Sequence, residues 1–151
     1  MYEKLLNYAA KQKVQTYELE MSKRFKGIYE DNVILINKDL SSIEKACVLA
    51  EELGHYYTTH GNILDQSKTE NRKQEQRARN WACSRMVTLD KFIDAYKNDV
   101  SNIHEFAELV CVTEEFMQEA LDYYRRRYGI STIYKGYLIN FERLAVIQLF
   151  E

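Results

Sequence analysis

The pattern of apolar and polar positions predicts a chain that starts with one helix and a few strands. Residues 1–13 have apolar side chains at helical spacing, whereas residues 14–19 alternate between apolar and polar positions as a strand does. Two short β-forming runs, residues 27–29 and 33–37, flank the polar residues 30–32. This arrangement predicts a tight hairpin.

A longer helix is predicted next, with Ser41 or Ser42 as its N-cap. Apolar residues at helical spacing form the stripe of this helix that we expect to be buried: Ile43, Cys47, Ala50, Gly54 and Tyr57. A polar, loop-like stretch over residues 61–69 follows. A second long helix is then predicted over residues 70–87.

The rest of the chain predicts further helices and a tail whose structure stays open. Helical patterns restart at residues 88–90 and recur over residues 102–109 and 113–128, where Gly129 follows. The tail over residues 134–150 holds short apolar runs that fit either strands or a short helix. The predicted fold class is α+β, with a small antiparallel sheet packed on the first long helix and a mostly helical C-terminal half.

Composition and charge limit the function classes. A length of 151 residues favours one domain over residues 1–151. The 21 basic and 23 acidic residues give a net charge of −2, which provides no strong attraction to nucleic acid or an anionic membrane. Three distant cysteines without a Cys-x-x-Cys pair predict no disulfide. Because signal-peptide and membrane-spanning patterns are missing, we expect a soluble cytoplasmic protein.

The strongest chemical signal is the helical turn Glu51-Glu52-Leu53-Gly54-His55. Glu51 and His55 are four residues apart, so their β-carbons lie roughly 5–6 Å apart on one helix face and can hold one metal ion. Glu52 lies about 100° round the helix, where it can hold a water on that metal. The turn differs at one position from the zinc-peptidase motif His-Glu-x-x-His, because Glu51 stands where the first histidine is expected.

A hydrolytic zinc site needs three protein ligands and one open position. One ligand must come from outside this turn, and Glu75 in the second long helix is the candidate. His60 and Asp65 are alternatives that could replace Glu51. A carboxylate beside the metal acts as general base, which is the role predicted for Glu52. The competing interpretation is an ordinary charged pair on a solvated helix face.

These motifs and their order resemble the ImmA/IrrE family of metallopeptidases, which are found in bacteria, their mobile elements and phages. The resemblance covers residues 25–87, and it is looser over residues 113–129. Its motifs are Phe25-Lys26-Gly27-Ile28-Tyr29, residues 49–55 and Glu75-x-x-Ala78-x-x-Trp81-Ala82.

The resemblance implies a zincin-like domain with a Zn²⁺ cofactor that cleaves a protein. His55 matches a zinc-binding histidine, Glu52 the general base and Glu75 the carboxylate ligand. Glu51 replaces the first histidine, and the added negative charge makes harder divalent metals more plausible. With the segment 61–65, this variant is similar to phage-borne members. The implied substrate is a repressor-type transcription regulator inside a bacterial host cell.

Two rival functions follow from other features. Glu51 motivates a catalytically weak or inactive regulator, an anti-repressor that binds a repressor without cleaving it. The basic residues within 72–85 and 125–127 motivate the second rival, a regulator that binds DNA through its C-terminal helices. Acidic residues are interleaved with them, which favours a solvated helix face. Direct binding to nucleic acid is therefore not expected.

Overall fold

The computed structural model describes residues 1–59 and 68–150, which fall into two compact units. The first unit spans Met1–Ala82 and the second Cys83–Glu151. The single domain over residues 1–151 stays a prediction. Within the described residues, the helices are too short or too polar to cross a membrane. The three cysteines are free, as predicted.

The first unit combines helices with a three-stranded sheet. Its elements are α1 (Tyr2–Lys11), β1 (Gln15–Leu19), β2 (Gly27–Glu30), β3 (Val33–Asn37), α2 (Ser42–Thr59) and most of α3 (Lys68–Met86). The strand order is β1-β3-β2. β2 and β3 form the predicted antiparallel hairpin, and Asp31 and Asn32 turn it with φ of 47° and 62°. β1 pairs with β3 in parallel, so the sheet is mixed.

Helix α2 begins at a capping box. The Glu44 N–H donates to Ser41 Oγ at 3.1 Å, and the Ser41 N–H donates to Glu44 Oε1 at 3.2 Å. These two bonds satisfy backbone donors that the first turn would otherwise leave free. Ser41, one of the two predicted caps, therefore starts this helix.

The buried face of α2 differs from the predicted stripe at both ends. Ile43 is 44% exposed and Tyr57 is 60% exposed, whereas Val48, which does not belong to the predicted stripe, is only 8% exposed. Both β2 and β3 pack against this helix, as does α1. The prediction was therefore wrong for Ile43 and Tyr57, which lie near the two ends of the helix. Contacts with three elements bury Val48 in addition to the middle of the stripe.

The second unit places three helices against a second sheet. After the end of α3, its elements are α4 (Leu89–Lys97), α5 (Ile103–Val110), α6 (Glu114–Tyr128), β4 (Ser131–Tyr134), β5 (Tyr137–Asn140) and β6 (Ala145–Gln148). The sheet is antiparallel in the order β4-β5-β6. The open question of the tail is thus settled as strands, and the α+β class with a mostly helical C-terminal half is confirmed.

Aromatic side chains form the core of this second unit. Phe92 contacts Phe106, Tyr124 and Phe141 edge-on, with ring centroids 4.9, 5.6 and 5.4 Å apart. The Tyr124 hydroxyl donates to the Val87 carbonyl at 2.6 Å, and burial raises the pKa of this tyrosine. Such aromatic pairs are worth about 0.5–1.5 kcal/mol each beyond the area they bury. They therefore fix the C-terminal sheet onto the helices.

Candidate active site

Two predicted metal ligands from different helices lie side by side in the first unit. α2 carries His55, whose side chain is 20% exposed, and α3 carries Glu75, whose side chain is 61% exposed. His55 Nε2 and Glu75 Oε2 are 3.3 Å apart. Residues twenty positions apart in the sequence thus converge at one point, where Glu51 and Glu52 of the same α2 turn are partly buried.

A glycine makes this convergence possible. A β-carbon on Gly54 would lie 2.2 Å from the Ala78 carbonyl oxygen and 3.0 Å from Ala78 Cα. Only a residue without a side chain fits, because the opposing atoms belong to the backbone and cannot rotate away. Gly54 therefore sets how closely α2 approaches α3, one residue before His55. The sequence analysis places Gly54 only in the buried stripe of the helix. A glycine directly before the candidate histidine is the sequence feature that could have indicated a close helix contact.

A second glycine brings the sheet close to Glu52. A β-carbon on Gly27 would lie 2.5 Å from Val48 Cγ1 and 3.4 Å from Glu52 Cγ. On the same strand, Tyr29 meets Tyr56 of α2 edge-on at a centroid distance of 6.2 Å. Strand β2 therefore covers one side of Glu52. Sequence reasoning had missed this contribution of Gly27, because strand-to-helix distances cannot be read from a local pattern.

The environment of Glu52 disfavours its charged form. Burial raises the pKa of Glu52 to about 7, and the neighbouring charges of Glu51 and Glu75 add to the rise. Desolvation and like charge act in the same direction on a carboxylate. A strongly perturbed carboxylate beside a histidine is typical of functional sites. In the absence of a cation, these three glutamates repel one another.

The residues present fit two positions of a metal site. Two ligands about 2.0–2.2 Å from a tetrahedral zinc are about 3.4 Å apart, close to the observed separation of His55 and Glu75. Over residues 1–59 and 68–150, three or more His, Cys, Asp or Glu side chains are nowhere grouped as a metal site. Glu51 is therefore not assembled with this pair into a three-ligand group. The two alternatives, His60 and Asp65, lie outside the described residues.

Comparison with known proteins identifies the family. The family model of the IrrE N-terminal-like domain, peptidase family M78, matches residues 3–122. The chain belongs to this family. No curated protein and no solved structure gave a match. The predicted ImmA/IrrE membership and the zincin-like α+β fold are thus confirmed.

Membership in the M78 family also indicates the class of cofactor and substrate. The family consists of zincin-like metallopeptidases, which indicates a metal cofactor and a protein substrate. The matched region contains the whole turn of Glu51, Glu52 and His55 together with Glu75.

Proposed function

We propose that this M78 protein is a metal-dependent endopeptidase with Glu52 as its general base. The observation that carries the proposal is the 3.3 Å approach of His55 Nε2 to Glu75 Oε2, directly beside a partly buried Glu52. Histidine and carboxylate side chains are common ligands of catalytic zinc, and a carboxylate next to them can act as general base. Membership in a metallopeptidase family supports the same reading.

His55 and Glu75 would hold the metal, with Glu51 as the third ligand. His60 or Asp65 would take that place if Glu51 does not. We expect Zn²⁺, although a site with two carboxylates also suits harder divalent ions. When bound, such an ion polarises the scissile carbonyl and lowers the pKa of its water.

Glu52 would move the proton during hydrolysis. Its carboxylate accepts a proton from the attacking water and returns it to the leaving amine nitrogen. The cover that β2 and Gly27 provide keeps bulk water from one side of this carboxylate. A general base works best when its pKa lies near the operating pH, and partial burial favours that match.

The proposed substrate is a repressor-type transcription regulator of a phage or mobile element. The ImmA/IrrE resemblance supports this choice, as does the Glu51 variant that is similar to phage-borne members. Cleavage would release the genes that the repressor silences. We place the reaction in the cytoplasm of a bacterial host, where repressors act.

The proposal is tested by Glu52→Gln. Purified protein with one equivalent of Zn²⁺ is incubated with repressor-type regulators from the same genome, and fragments are identified by mass spectrometry. Loss of the general base should lower the cleavage rate by about 10²–10⁴-fold while bound metal is retained. Glu30→Gln, an exposed strand position, is the matched control and should cleave like the wild type. Full activity of Glu52→Gln would disprove the assigned role.

A second series identifies the third ligand. Glu51→Gln, His60→Ala and Asp65→Asn are compared for Zn²⁺ affinity by competition with a chromogenic chelator. We expect Glu51→Gln to weaken binding most, because Glu51 and His55 occupy one helix face. If His60→Ala or Asp65→Asn has the larger effect, that residue replaces Glu51 in the ligand set.

A second candidate function is an anti-repressor that binds a repressor without cutting it. The carboxylate of Glu51 in place of a histidine favours this alternative, because an anionic ligand weakens the metal as a Lewis acid. In that case wild type and Glu52→Gln would form the same stable complex with the intact repressor. Both would also relieve repression of a reporter equally.

A further inference from the structure

Two tyrosine rings form an aromatic pair close to the proposed general base. Tyr29 of β2 and Tyr56 of α2 meet edge-on, with ring centroids 6.2 Å apart and an interplanar angle of 77°. Both residues are half-buried, so each retains surface that is open to solvent. The proton transfer proposed for Glu52 uses neither ring. The pair is thus an aromatic surface of the first unit whose function is still to be assigned.

The pair lies one helical turn beyond Glu52. Tyr56 follows Glu52 by four residues, which places both side chains on one face of α2, about 6 Å apart along the helix axis. On β2, Tyr29 follows Gly27 by two residues, so both positions point to the same side of the strand, about 7 Å apart. A β-carbon on Gly27 would lie 3.4 Å from Glu52 Cγ, and Tyr29 meets Tyr56. Strand β2 therefore runs along α2 from the general base to the tyrosine pair.

The Tyr29 ring is held at both ends. Its hydroxyl donates to Asn32 Oδ1 at 3.2 Å, in the turn of the hairpin. Its ring packs edge-on against Tyr56, an arrangement that aromatic side chains prefer. The hydroxyl is engaged in this bond, so the ring carbons are the part of Tyr29 that a partner would contact. A preformed surface of this kind limits the entropy lost on binding.

The surroundings of the pair favour an apolar partner. Glu51, Glu52 and Glu75 place negative charge at the same site, which disfavours an acidic side chain. A basic side chain would have to give up hydration between two half-buried rings. An aromatic or aliphatic side chain has no such cost, and it removes ring surface from water.

We propose that Tyr29 and Tyr56 determine specificity by binding an aromatic or long aliphatic side chain of the protein substrate. This inference rests on the proposed peptidase function and assigns a subsite to it. The bound side chain would belong to a residue within two positions of the bond that is cut. An extended chain advances about 3.3 Å per residue, and the pair lies about 6 Å beyond Glu52. Cleavage would therefore occur beside bulky apolar residues.

The test is the cleavage preference of the full chain loaded with Zn²⁺. A mixture of unstructured peptides of varied sequence is digested, and the cut positions are identified by mass spectrometry. Bulky apolar residues within two positions of the bond should raise the cleavage rate at least about tenfold over alanine. Tyr56→Ala should bring this ratio close to one. Tyr56→Phe should keep the ratio, because it removes only the hydroxyl and retains the ring.

Tyr57→Ala is the matched control. Tyr57 is the next residue of the same helix, it is 60% exposed, and its ring meets Trp81 of α3 at 5.6 Å. This variant should keep the wild-type preference. If Tyr56 has only a structural role, Tyr56→Ala will slow the cleavage of all peptides alike and leave the ratio unchanged, which would overturn the proposal.

A wild-type preference for charged residues beside the bond, or no preference at all, would also overturn it. These outcomes differ from a failure of the proposed function itself. In that case the wild type would cut neither the peptides nor a repressor-type regulator, and the subsite would fall together with the peptidase assignment.

Discussion

Among the described residues, two histidines lie next to glutamates, and their surroundings differ. His55 on α2 meets Glu75 of α3 at 3.3 Å, and the His55 side chain is 20% exposed. His104 on α5 meets Glu108 of the same helix at 2.9 Å and also contacts Glu114 of α6. The side chains of this second cluster are 57–68% exposed. In the first pair the histidine is largely buried and its glutamate, Glu75, is 61% exposed, whereas all members of the second cluster are exposed.

The difference comes from packing and not from residue type. Glu51 and His55 have the same four-residue spacing as His104 and Glu108, so a sequence pattern does not separate them. Only the His55 pair has a glycine that lets a second helix approach to backbone contact. Exposed ion pairs contribute about 0–1 kcal/mol at most, because water screens their charges. A partly buried cluster of like charges instead creates a position that favours a cation.

The largest expected effect is on metal binding. His55→Ala should lower Zn²⁺ affinity by at least about 100-fold, because removing a ligand costs more than removing an outer hydrogen-bond partner. His104→Ala is the matched control, and its affinity should equal that of the wild type. Chelator competition measures both. Similar losses in the two variants would mean that the two clusters do not differ in metal chemistry.

The next largest effect is a loss of stability when the glycine at the contact between α2 and α3 is replaced. Gly54→Ala should destabilise the protein by about 3 kcal/mol, because its new methyl group would overlap the Ala78 backbone. Gly27→Ala is the graded control, since its nearest contact is a Val48 side chain at 2.5 Å and the nearest backbone atom, the Leu35 carbonyl oxygen, lies at 3.2 Å. We expect a loss of about 1 kcal/mol there. Urea unfolding measures both, and a Gly54→Ala protein as stable as the wild type would contradict the close approach.

The local elements were predictable from sequence because their causes are local. The capping box at Ser41 and the turn at Asp31 and Asn32 depend on neighbouring side chains and backbone angles. The hairpin and the long helix therefore appear at nearly the predicted positions. The tail was ambiguous, because short apolar runs fit both element types. In the structure, Lys135 and Gly136, with φ of 48° and 82°, form a tight turn that joins two strands of the tail.

The sequence proposed which residues form the candidate site, but it did not predict how they are arranged. The motif and the family resemblance pointed to Glu51, Glu52, His55 and Glu75, and the structure brings His55 and Glu75 into contact. Sequence could not give that distance, because it depends on how closely α2 and α3 pack at Gly54. The parallel pairing of β1 with β3 was unpredictable for the same reason. Both are long-range contacts without a local pattern.

A smaller effect is expected on the stability of the protein when Glu52 loses its charge. In metal-free protein at about pH 8, Glu52→Gln should raise the free energy of unfolding by about 1–2 kcal/mol. Its carboxylate is buried beside Glu51 and Glu75, and a neutral amide removes the repulsion. Glu30→Gln, which is exposed, should change stability by less than about 0.5 kcal/mol. Thermal melts with a chelator present measure both, and a destabilised Glu52→Gln would argue against like-charge repulsion.

The smallest effect is the pH dependence of the exposed cluster. A hydrogen bond to Glu114, helped by the charge of Glu108, raises the pKa of His104 above its ordinary value of 6.5. Protonated His104 therefore stabilises the fold fully below about pH 6.5, and this contribution is lost as the pH rises through the folded-state pKa. His104→Gln should thus lower the Tm slightly at about pH 5.5 and leave it unchanged at about pH 9. Salt near 1 M should erase even the low-pH difference, because the cluster is open to solvent. A Tm difference that grows with pH, or one that survives the salt, would place His104 in the same class of environment as His55.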